Sequence, residues 1–172
     1  MNTNIRKLLN AGVLAAGALL AASSATAQVQ THPNTGTFPI ANAVEVGPNT
    51  SLVFHSGVVP GAADPDAERG TPEFYGDTYT QSISVFERTK ENLENLGLTM
   101  GDVIKMTVFL VGDPALDGQM DFQGFMDAYT QYFGTEEQPN LPARSALQVA
   151  GLVGPLMFVE VEVVTARYRG DN

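Results

Sequence analysis

The chain has 172 residues, nine Lys and Arg against nineteen Asp and Glu, and no cysteine. The lack of cysteine excludes disulfides, thiol nucleophiles and thiolate metal sites. Two of the nine cations, Arg6 and Lys7, and none of the acids fall in the first 27 residues, so the rest carries seven cations against nineteen anions, a formal −12. So acidic a chain is repelled by phosphate backbones and anionic lipid, which argues against nucleic-acid and membrane-surface partners.

The N-terminus reads as a targeting segment. Residues 1–7 are short and polar, residues 8–22 are almost wholly apolar and small, and Ala25-Thr26-Ala27 offers a small-x-small cleavage site before Gln28. This order predicts a secretory signal peptide over residues 1–27. The apolar run is shorter than the ~20 residues that a membrane anchor needs. Cleavage after Ala27 would release a periplasmic or secreted protein of 145 residues, the 172 less 27, with no membrane attachment. That is one domain's worth of chain.

Residues 28–37, with Pro33 and Gly36, are expected to form a polar mature tail ahead of a domain over 38–172. Residues 38–46 are expected to be extended, and Gly47-Pro48-Asn49-Thr50 is a strong turn signal. With residues 51–59 they predict a β-hairpin whose second strand, through Leu52, Val53 and Phe54, is buried on both faces. Residues 60–72 are a loop rich in Gly, Ala, Asp and Pro. Residues 77–95 carry the clearest helical period, with Ile83, Phe86, Leu93 and Leu96 on one stripe and Gly97 placed to end the helix. Residues 103–111 alternate as a strand, with Val103, Lys105, Thr107 and Phe109 on one face. Residues 120–133 predict a second amphipathic helix through Phe122, Phe125, Met126, Tyr129 and Phe133. Two further strands are expected at 143–150 and 156–167.

The order β-β-α-β-α-β-β predicts an α+β domain, a mixed sheet with two helices packed on one face. The other face would still carry Val, Phe and Leu, so a partner is expected to cover it, and a homo-oligomer follows.

Most familiar catalytic motifs are absent. There is no G-x-G-x-x-G, Walker A, H-E-x-x-H or G-x-S-x-G. His32 and His55 are the only histidines, in no metal-ligand spacing. His55, beside Ser56-Gly57, reads as structural or as a pocket wall, and no metal is expected, since zinc hydrolase chemistry needs three protein ligands. What remains is Arg144, in an otherwise apolar strand after Pro142, followed by Glu160 and Glu162 in the next strand. A guanidinium there loses several kcal/mol of hydration unless paired. Two readings stay open: an ion pair with Glu160 or Glu162 that serves the fold, or a fork that binds a substrate carboxylate bidentately.

The stretch Leu141-Pro142-Ala143-Arg144-Ser145-Ala146-Leu147-Gln148-Val149-Ala150, followed by Val159-Glu160-Val161-Glu162, resembles the C-terminal signature of the RidA/YjgF family. Residues 93–110 are similar to that family's central helix-to-strand join, and Phe54-x-Ser56-Gly57 to the end of its second strand. The resemblance implies a chorismate-mutase-like fold, a six-stranded sheet backed by two helices, assembled as a homotrimer with ligand sites in the clefts between subunits. It implies hydrolytic deamination of 2-imino or enamino acids without a cofactor. Arg144 would bind the substrate carboxylate, Glu160 would place and activate the water, and Ser56 and Ser145 would be wall contacts. Many active members have a tyrosine where this chain has Ile40, a glutamine at Val58, an asparagine at Met126 and a cysteine at Ala146. These exchanges imply a roomier, greasier pocket. The alternative is a trimeric small-molecule binder or chaperone-like stress protein without turnover.

Overall fold

A computed structural model describes residues 29–169. The expected signal peptide lies outside the described residues. The elements are β1 (Val29–Pro33), β2 (Ala41–Val46), β3 (Thr50–Phe54), α1 (Pro72–Tyr75), α2 (Thr78–Glu94), β4 (Val103–Asp113), β5 (Gln119–Met120), α3 (Phe122–Tyr129), β6 (Ala143–Val149) and β7 (Val159–Tyr168). One sheet runs in the order β1-β2-β6-β4-β7-β3, with the short β5 on the end of β4. Strand β4 is parallel to β6 and antiparallel to β7, so the sheet is mixed. The α+β expectation of six strands and two main helices holds, with β5 and the one-turn α1 added.

Two expectations about the N-terminal strands fail. Residues 29–33, expected in a polar tail, form a strand antiparallel to β2, and His32 lies 3.5 Å from Glu45 across that pair. Strands β2 and β3 do not form the expected hairpin. Strand β2 pairs with β1 and touches β6 only at Ala41↔Ala143, whereas β3 pairs with β7 at the opposite end of the strand order. On a flat sheet those ends would stand roughly 19 Å apart, at ~4.8 Å per strand. The link from Val46 to Thr50 reaches at most ~14 Å. The sheet must therefore curl, and the turn is pinned by Arg169, whose N–H donates to the Asn49 carbonyl at 2.9 Å. Asn49 takes φ 60°, a left-handed conformation that asparagine tolerates. Strand β3 is then an edge strand, with Phe54 75% exposed rather than buried on both faces.

Helix α2 starts where Asp77 accepts from the Thr80 N–H, and α3 where Asp121 accepts from the Gly124 N–H. The core lies between these helices and one sheet face. Val85, Phe86 and Leu93 of α2 and Phe125, Ala128 and Tyr129 of α3 pack on Met106, Val108, Leu110, Val159, Val161 and Val163. Leu96, expected on the helix stripe, is exposed because α2 has already ended. Helix α3 is shorter than predicted: Met120 lies in β5, paired with Gly112 of β4, and after Tyr129 the chain winds through turns to Phe133. Phe86 meets the rings of Phe125, Tyr129, Tyr132 and Phe133, joining the two helices through one aromatic cluster. Most polar residues on the buried face of α2 are hydrogen-bonded, the Thr78 hydroxyl excepted. Ser82 and Thr89 donate to carbonyls one turn back. Gln81 ties Gly76 and Leu156 to the start of β7 and accepts from the Phe158 N–H.

A register shift between Val103 and Lys105 divides the expected face of β4. Val103 joins the buried face, while Lys105, Thr107 and Phe109 point to the other side of the sheet.

Candidate active site

Residues paired across a sheet put their side chains on the same face, and successive residues alternate. Arg144 pairs with Met106, which is fully buried against the helices, so Arg144 points to the helix face. Glu160 pairs with Phe109, three residues on, and points to the outer face. Arg144 and Glu160 are thus on opposite sides of one sheet.

This excludes the structural ion pair weighed from the sequence. Among the described residues no carboxylate lies within ion-pair reach of Arg144. The guanidinium sits instead in an aromatic cage. Its centre is 4.1 Å from the Tyr129 ring centroid, 5.3 Å from Phe125, 5.4 Å from Phe38 and 6.0 Å from Phe122. Nη2 donates to Met126 Sδ at 3.1 Å, a weak acceptor, and Nη1 is buried with no hydrogen-bond partner among the described residues. A desolvated cation–π contact returns about 2 kcal/mol. The rings therefore offset part of the cost of burying the charge, but they supply none of the in-plane acceptors that a guanidinium fork is built to meet. Burial pushes the Arg144 pKa down, opposed by Tyr129. The same burial pushes the Tyr129 phenol up to about 12, with Arg144 pulling the other way.

The cage is built by three segments. Strand β6 carries Arg144, helix α3 supplies Phe122, Phe125, Met126 and Tyr129, and the irregular stretch before β2 supplies Phe38. Tyr129 Oη donates to the Pro39 carbonyl at 3.0 Å, and the Ala41 N–H to the Pro142 carbonyl at 3.0 Å. Those two bonds hold Phe38-Pro39-Ile40 beside Arg144. Ile40 is half-buried next to the cage.

The outer-face cluster is separate. Gly57 sits against Glu160 so closely that a Cβ there would fall 1.9 Å from Glu160 Oε1. Ser56, the preceding residue, is exposed. Ser145 is also exposed and accepts from Lys105 Nζ at 3.3 Å, one rung along the sheet from Glu160. His55 turns to the helix side, where its Nε2 lies 3.0 Å from Thr165 Oγ1; burial, then Arg167, lower its pKa. No group of three potential metal ligands occurs among the described residues.

The structure thus places Arg144 with Ile40 on one side and Glu160 with Ser145 on the other, while Ser56 is exposed beyond the end of β3, just before Gly57. Sequence reasoning missed the cage. Phe122, Phe125 and Tyr129 follow a helical stripe that reads as core, and Phe38 carried no signal that it would meet Arg144. It also missed Gly57 as the residue that leaves room for Glu160.

Fold and site together define an α+β protein with, on one sheet face, a half-buried arginine that meets no carboxylate among the described residues, and a glutamate on the other. The family model described as Endoribonuclease L-PSP matches residues 23–167. The chain is 33% identical over 129 residues to the protein named Putative reactive intermediate deaminase TdcF of Escherichia coli, covering 75% of this chain and 87% of that one. It is 31% identical over 129 residues to the 2-iminobutanoate/2-iminopropanoate deaminase of Salmonella typhimurium, covering 75% and 88%. The solved structure of E. coli TdcF with bound serine superposes with a TM-score of 0.51 at 30% identity, covering 80% of this chain and 93% of that one. The conserved Rid family protein YyfB from Yersinia pestis, at 21% identity, shares the fold with a TM-score of 0.61, covering 81% and 99%. The chain belongs to the RidA/YjgF family.

Proposed function

We propose that this protein hydrolyses 2-imino or enamino acids to 2-oxo acids and ammonia, in a site made by two subunits of a homotrimer. The observation that carries the reading is Arg144: a half-buried guanidinium whose buried Nη1 has no hydrogen-bond partner and which meets no carboxylate among the described residues. A substrate carboxylate would supply the missing acceptors bidentately. Water adds to the C=N carbon, the C–N bond breaks, and nitrogen leaves as ammonia. Glu160 would orient that water and take its proton, a role that requires a carboxylate within reach of the bound imine. Ser56 and Ser145 would line the same cleft.

Within one protomer the sheet stands between Arg144 and Glu160, so the reading requires a second copy. Two features favour one. Beyond Ala143, β6 has no pairing with β2, which leaves the Arg144 side of the sheet open along its edge. The outer face carries exposed Phe54, Leu52 and Leu147, an apolar surface suited to burial. RNA is a poor fit as substrate, because residues 28–172 set seven cations against nineteen anions. The N-terminal pattern supports action outside the cytoplasm, and a mass starting at Gln28 in the exported fraction would test it.

A carboxylate-binding protein without turnover is the second reading, favoured by the apolar surroundings of Arg144. Ammonia release from enzymatically generated imino acids separates the two. Arg144→Lys keeps the charge but loses one arm of the fork. It should lower kcat/KM at least about tenfold, with less than about 1 kcal/mol change in stability. Unchanged turnover with clear destabilisation would make Arg144 structural.

A further inference from the structure

We infer that the stacked pair Phe38–Phe122 forms the side-chain subsite, and that the substrates are 2-imino acids with aromatic or large apolar side chains. The inference rests on the reading of Arg144 as carboxylate anchor. The two rings lie nearly parallel, 15° apart with centroids at 6.2 Å, and both flank the guanidinium. Phe125 and Tyr129 are fully buried, whereas Phe38 is 42% exposed, so Phe38 forms the solvent side of the cage. A carboxylate that reaches Nη1 must pass that ring. Phe38 lies in the irregular segment between β1 and β2.

Once the carboxylate is held, the geometry constrains the rest of the ligand. In a 2-imino acid only the imine carbon separates the carboxylate from the side chain. The side chain therefore stays within a ring's breadth of the guanidinium, where the Phe38 and Phe122 faces are. A methyl group would leave those faces in water, whereas a benzyl or isobutyl group would cover them and exclude water from the imine. Met126, with a flexible thioether against Nη2, extends the apolar wall and adapts to ligand shape. A site built for the smallest imines has no use for an exposed ring stacked on a half-buried one beside its anchor.

The test compares imines made in situ from phenylalanine, leucine and alanine by an amino-acid oxidase, using the mature full chain. The parent should hydrolyse the phenylalanine-derived imine with kcat/KM at least about tenfold above the alanine-derived one, a ratio in the range that apolar pockets achieve. Phe38→Ala should bring the ratio close to one, and Phe38→Leu should restore most of it. A parent that prefers the alanine-derived imine, or a ratio untouched by Phe38→Ala, would overturn the subsite while leaving the deaminase reading standing. Failure to hydrolyse any of the three above the buffer rate would overturn both.

Discussion

Arg144 and Glu160 point to opposite faces of the same sheet, because β4 pairs Met106 with the first and Phe109 with the second. An odd offset along β4 is enough to separate them, since side chains alternate with period two. The arginine and the glutamate of the family signature cannot act on one small molecule from a single protomer. The arrangement makes sense when the helix-side arginine of one copy faces the outer-face glutamate of another.

That arrangement sets an expectation for assembly. Light scattering at micromolar concentration should give about three times the chain mass for a closed cyclic trimer. Phe54→Glu places a charge on the most exposed ring of the outer face. It should shift the protein toward monomer and remove turnover in the same concentration range. A variant that stays trimeric and fully active would show that this face lies outside the contact.

Gly57 offers a way to move Glu160 without touching it. A methyl group at position 57 would meet Glu160 Oε1 and Cδ, the far end of a flexible side chain, so the backbone need not shift. Gly57→Ala should cost less than about 1 kcal/mol of stability. Its kcat should fall by about tenfold or more, because the carboxylate loses its place relative to the water. Thermal melting and steady-state kinetics on the same sample check both parts.

The caged tyrosine should appear in the alkaline limb of the stability curve. Tyr129 titrates near 10.0 when exposed and at about 12 in the fold. Its raised pKa favours the neutral phenol in the folded state. This contribution is fully present below pH 10 and is lost as the pH rises from 10 toward 12. At ~1.4 kcal/mol per unit the loss is on the order of 2–3 kcal/mol. Tyr129→Phe should flatten this fall in denaturant midpoints between pH 10 and 12, at the cost of the hydrogen bond to Pro39.

Much of the fold was legible in the sequence because local signals agreed with the tertiary outcome. Asp77 caps a helix whose Phe86 and Leu93 are buried as the period requires. Ala143 and Val159 begin strands close to where the alternation begins. The failures have physical causes. Val29–Pro33 has little apolar content of its own and becomes a strand only because β2 offers an edge. The Gly47-Pro48-Asn49-Thr50 turn was recognised, but a turn signal does not say whether its strands pair with each other. Here the curl of the sheet brings distant edges together instead. For the site, Arg144 and Glu160 were readable through the family signature, whereas their opposite facing depended on a register that only pairing with β4 reveals. The Phe38 contact with Arg144 spans more than a hundred residues and left no local mark.

Subunit complementation tests the composite site most directly. Arg144→Ala and Glu160→Gln should each abolish imine hydrolysis as homotrimers. Co-refolded in equal amounts, they would form mixed trimers in which some interfaces join an intact Arg144 of one copy to an intact Glu160 of the next. Random assembly around a three-fold axis restores about a quarter of the sites, so the mixture should recover about a quarter of parental activity. Mixed trimers, verified by mass, that remain as inactive as either variant alone would contradict a site shared between subunits.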